Sequence, residues 1–137
     1  MKAAQHQAME ASLETISIDV TPIVFERFFA AYPQQKGNFY VPEVSCGRMV
    51  NESISILLGL AADERWARPA IENFMGLHRA NYDPISVEEY GRFLDLLVDV
   101  LAETAGAAWG EAADHAWRDQ AERFKGLIAK ELGRVPA

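Results

Sequence analysis

The stretch Phe74 to Pro84 reads FMGLHRANYDP and carries His78 on a helix side shared with Ile71, Phe74 and Leu77. A lone imidazole on an apolar face is either a core residue whose polar atoms are satisfied, or a ligand that holds something. The other two histidines read as surface residues. His6 lies in a polar N-terminal segment, and His115 falls on the side of its helix away from Trp117. Cys46 has no second cysteine with which to form a disulfide or a CxxC pair. Asp95, Asp99 and Glu103 recur every four residues and read as one exposed acidic row, suited to solubility or to a basic partner. ARPAIENF has no phosphate-cradling glycines and no Ser-His-Asp spacing stands out, so hydrolase and nucleotide-binding readings are set aside.

Helices are what must position these residues, because the apolar periodicity is near 3.6 throughout and no alternating strand pattern occurs. Thr21-Pro22 signals a helix start for IVFERFFAAY, with Val24, Phe25, Phe28 and Phe29 at helical spacing and Pro33 closing that helix or opening a short turn. QQKGNFYVPEVSCG reads as a loop, followed by a helix RMVNESISILLGLAA with the stripe Val50, Ile54, Leu57 and Leu58. Pro69 opens the helix that carries His78, and Pro84 breaks it. Ser86 with Glu89 forms a capping box for a long helix ended by Gly106, whose stripe is Tyr90, Phe93, Leu94, Leu97, Val98 and Leu101. A last helix carries Ala113, Trp117, Phe124, Leu127 and Ile128. The fold class is therefore all-α, with uneven helices that suit a pocket better than a regular four-helix bundle.

The chain has 137 residues, enough for one core, and residues 1–11 are expected to form a loosely ordered extension of that single domain. A net charge of -7 disfavours nucleic acid and anionic membranes as partners. ILLGLAA is too short to span a bilayer, and the N-terminus lacks an apolar signal segment, so a cytoplasmic location is expected.

From about residue 12 to about residue 130 the chain resembles the globin family, of the bacterial single-domain type. VFERFFAAYP resembles the globin second helix running into its proline, Pro33. Phe39 falls six residues later, where the family keeps the phenylalanine that wedges against the haem. His78 falls where the family keeps its proximal histidine, and Trp117 near the start of the final helix. No single motif is specific; the joint spacing carries the resemblance.

The resemblance implies a globin-like fold of six to eight helices around a haem b pocket, with His78 as the iron ligand. The second imidazole nitrogen would need an acceptor to fix the tautomer, and the Phe74 carbonyl one turn earlier is a candidate. Phe25, Phe39, Met49, Val50, Ile54, Phe74, Tyr82 and Phe93 are the expected cofactor-facing residues. The distal ligand-facing position falls on Met49, 29 residues before His78, or on Val50 if Gly59 is the anchor. Phe25 occupies the place where many bacterial relatives have a tyrosine. None of these three donates a hydrogen bond. Bound O2 carries partial negative charge, so a missing donor forfeits roughly 1.5–3 kcal/mol, about ten- to a hundredfold in affinity. The expected pocket is thus biased toward NO or CO, unless Arg48 or a loop residue supplies a donor. A proximal Tyr-Glu pair, where present in relatives, would correspond to Tyr90 and Glu131.

Three functions follow from the resemblance. The first is reversible binding of O2, NO or CO at haem iron. The second is nitric oxide dioxygenation with a separate reductase as partner. The third is a haem-free globin fold acting as a regulatory or interaction module through its acidic face. A monomer or a homodimer paired through its last two helices is compatible with FLDLLVDVLA.

Overall fold

The computed structural model describes residues 2–38, 42–81 and 85–133, and the side chains of 4–37, 45–76 and 85–133. Six α-helices and no strand occur among the described residues: α1 Lys2–Glu14, α2 Thr21–Ala31, α3 Pro42–Ala61, α4 Ala67–Asn81, α5 Val87–Ala105 and α6 Glu111–Gly133. Short 3-10 helices, Pro33–Asn38 and Gly106–Ala108, follow α2 and α5. No described helix is long and apolar enough to cross a membrane.

The terminators act locally, though not always through the expected atoms. Helix α2 starts at Thr21 with Pro22 in its first turn, but no side chain caps it at Val20. Instead the Thr21 backbone N–H donates to the Asp19 carboxylate at 3.0 Å. Hydrogen bonds from Thr21, side chain first and backbone second, hold the Asp19 carboxyl below its ordinary range. Pro33 both closes α2 and opens the 3-10 helix, because it lacks the N–H an α-helix would need there. The Ser86–Glu89 capping box is formed in both directions: Glu89 N–H donates to Ser86 Oγ and Ser86 N–H to the Glu89 carboxylate. Gly106 ends α5 with a φ of 57°, where a side chain would be strained.

Two expectations are corrected. The N-terminal residues are not a loose extension: α1 packs on α6 and α3, with Met9 fully buried. Helix α3 also begins at Pro42, six residues before Arg48, because Pro suits a first turn and one interior glycine, Gly47, is tolerated.

Helix α6 is central and packs on α5, α1, α3 and α4; α2 packs on α5 and α3, and α3 packs on α4. Trp117 of α6 is fully buried, stacks on Trp109 at 5.8 Å, and donates its indole N–H to Ser12 Oγ at 2.9 Å. The Ser12 hydroxyl in turn donates to the Met9 carbonyl. A second polar thread runs from Gln5 through buried Gln120 to Arg123, whose guanidinium donates to the Leu60 carbonyl of α3 at 2.9 Å. Gly59 of α3 lets the half-exposed Trp66 ring lie close: a Cβ there would stand 2.8 Å from the ring.

The acidic row on α5 is not a free solvated face. Asp95 pairs with Lys125 at 2.7 Å, Asp99 with Arg118 at 2.8 Å, and Glu103 takes Arg27 of α2 in a two-pronged contact at 2.7 and 2.8 Å. Exposed pairs add little energy singly. Their effect is to tie α2 and α6 to one side of α5.

Among the described residues, four carboxyls sit below their ordinary range. Asp114 is lowered first by the Trp109 indole N–H and further by Arg118, and Glu103 first by its hydrogen bond with Arg27. Burial pushes Glu89 up, but hydrogen bonds from Ser86, Gln35 and Gln34 outweigh it and leave it lowered; Asp19 is the fourth. A lowered folded pKa means the unfolded chain binds more protons in acid, so this stability is complete above roughly pH 4–5 and fades below it. The urea midpoint should therefore stay level near neutrality and decline as pH falls through about 4. Asp114→Asn should flatten part of that decline. An acid slope identical in the variant would show that Asp114 contributes nothing to it.

Candidate functional site

Six of the expected cofactor-facing residues, Phe25, Met49, Val50, Ile54, Phe74 and Phe93, lie on four of the described helices, and the structure brings some of them together. Phe25 of α2 and Phe93 of α5 are both buried, with ring centroids 5.4 Å apart. Phe28 meets Phe93 edge-on at 5.7 Å, and Phe29 and Tyr32 flank the same group. Phe74 of α4 lies 6.2 Å from Tyr90 and 6.1 Å from Phe124, in the same hydrophobic core. Tyr90 and Phe93 are neighbours on one face of α5, so these ring contacts adjoin there. The aromatics expected to line one slot therefore also pack on one another as core, and their number alone does not require a macrocycle.

On α3, Met49 and Val50 are both buried and Ile54 is half-buried against the core, so burial does not choose between Met49 and Val50. His78 lies on α4 one turn beyond Phe74; its side chain is outside the described residues, as are Phe39 and Tyr82. Arg48, expected as a possible donor to a bound gas, is exposed instead. It lines an outer groove of about 550 Å³ between α3 and α4, with Asn51, Glu52, Ser55, Trp66 and Asn73. Of the proximal pair, Tyr90 is buried against Phe74, whereas Glu131 borders a small groove with Arg68, Ile71 and Glu72 in the first turns of α4. Those turns lie at the far end of the helix from position 78.

One residue was not anticipated. Ser53 is fully buried in the middle of α3, and its hydroxyl has no hydrogen-bond partner among the described residues. Leaving a buried hydroxyl unsatisfied costs about 1–3 kcal/mol, so the group needs an explanation. A serine inside the stripe Val50, Ile54, Leu57 was the available signal.

No family model matches this chain, and neither a curated protein nor a solved structure shows significant similarity to it.

Proposed function

We propose that the chain is a haem-binding, globin-type protein that reversibly holds a diatomic gas. The observation that carries this reading is the pairing of α4 with α3: the helix bearing His78 packs beside the helix whose buried face holds Met49 and Val50. The remaining packing is consistent with a globin arrangement, with α1 and α4 on α6 and α2 on α5. The residue types suit a haem: a histidine one helical turn after buried Phe74, and apolar faces on α2, α3 and α5. Bound haem would supply iron with a coordination position open to O2, NO or CO.

The chain's own residues would do the rest. His78 would hold the iron through one nitrogen, and its other N–H would donate to the Phe74 carbonyl, fixing the tautomer. Phe25, Met49, Val50 and Phe93 would keep water from the ligand and slow oxidation of the iron. No observation favours turnover with an external reductase over binding. For the haem-free docking reading, the acidic row it would use is exposed but paired within the fold with Lys125, Arg118 and Arg27.

The test is spectroscopic. Protein supplied with hemin should turn red and show an intense Soret band. His78→Ala should weaken hemin retention by more than the roughly 10- to 100-fold typical of losing an outer-shell partner. Wild-type protein that stays colourless with hemin refutes the proposal, and an unchanged spectrum in His78→Ala refutes His78 as the ligand.

A further inference from the structure

We propose that the outer groove between α3 and α4 binds a neutral saccharide, with the Trp66 ring as its stacking platform. The groove measures about 550 Å³, within the range of about 300–1,000 Å³ common to small-molecule sites. Arg48, Asn51, Glu52 and Ser55 recur at helical spacing and form one polar row along α3, and Asn73 supplies the α4 side of the same groove. None of these five side chains has a hydrogen-bond or ion-pair partner among the described residues. Arg48 and Glu52 stand one turn apart and still do not pair. The acidic row of α5 is the opposite case, since each of its three carboxylates is matched by a cation.

Trp66 is held in place before any ligand arrives. Its carbonyl accepts the Ala70 N–H at 2.9 Å, and the Glu64 N–H donates to the Gly59 carbonyl at 2.9 Å, which closes the turn between the two helices. Because Gly59 has no Cβ, the ring rests against bare backbone there, yet 47% of the residue stays exposed. A ring fixed in advance gives up little further freedom when a ligand stacks on it.

The chemistry of the lining selects the ligand class. Arg48 offers only donors, Glu52 only acceptors, and Asn51, Asn73 and Ser55 offer both. The two opposite charges cancel, so the lining rewards neither a cation nor an anion, and the net charge of -7 further disfavours an anion. A neutral ligand that suits both an aromatic face and a mixed donor and acceptor set has C–H groups on one side and hydroxyls at its edge, as a pyranose does. Ser55 and Trp66 also line a second hollow of about 220 Å³, so the two hollows meet at the indole and leave room for two linked rings.

The test titrates isotope-labelled protein with maltose, cellobiose and N,N′-diacetylchitobiose, and with adenosine and glycylglycine for comparison, following amide and indole N–H signals by NMR. At least one disaccharide should give saturable shifts of the Trp66 indole N–H and of the Asn51 and Asn73 side-chain amides. Trp66→Ala should weaken that sugar at least about tenfold. Asn73→Ala should weaken it about 2- to 12-fold with no change in melting temperature, because the Asn73 side chain is exposed and bonds nothing in the fold. No saturable response to any of the three sugars overturns the proposal, as do shifts confined to another part of the molecule. Unchanged affinity in both variants overturns it too. Adenosine or glycylglycine binding as tightly as the best sugar would assign the groove to a nucleoside or a peptide instead. None of these results depends on hemin, so this site and the haem reading fail separately.

Discussion

Trp117→Ala is expected to cost about 3–5 kcal/mol of folding stability, against a total of about 5–15 kcal/mol for a typical domain. The indole is fully buried and stacks on Trp109, so its removal leaves a cavity between α1 and α6. It also strips Ser12 Oγ of the N–H it accepts, leaving a buried polar atom half satisfied. Urea denaturation should show a lower midpoint with little change in slope. Trp117→Phe separates the causes: it keeps much of the ring volume but loses the N–H, and should cost less than the alanine variant. A loss below about 1 kcal/mol for Trp117→Ala would show that α1 does not depend on this contact.

Phe93→Ala should be of similar size, about 3–5 kcal/mol, because Phe93 is the α5 ring on which Phe25 and Phe28 both rest. Phe93→Leu should cost much less, since most of the volume stays. The coupling can be measured directly. A double-mutant cycle of Phe25→Leu and Phe93→Leu should give about 0.5–1.5 kcal/mol of interaction beyond the single losses. Strictly additive losses would mean that the 5.4 Å ring contact is incidental to how α2 is held.

Local signals in the sequence were legible where one short segment decides the outcome. The Ser86–Glu89 box, the Gly106 stop and Pro33 as a breaker are each settled within a turn of chain, and the structure has all three. Features that depend on distant partners were not legible. Helix α1 reads as polar because its anchors are Met9 and Ser12, and the value of Ser12 comes from an indole 105 residues away. The four-residue spacing of Asp95, Asp99 and Glu103 was visible, but Lys125, Arg118 and Arg27 come from two other helices. In the site, the stripe on α3 was visible while Ser53 within it was passed over, because an orphaned hydroxyl is a property of packing. Nor could spacing reveal that Phe74 meets Tyr90 and Phe124 while Phe25 meets Phe93.

The bond between Ser12 and Trp117 also bears on how the chain folds during synthesis. Helix α1 is synthesised well before α6, the helix it packs on most. Until then α1 can be covered only in part, by α3 and α5, and closing the long loop to α6 carries an entropic cost. The bond between Ser12 and Trp117 can therefore form only once α6 has been made, so α1 and α6 complete the core late.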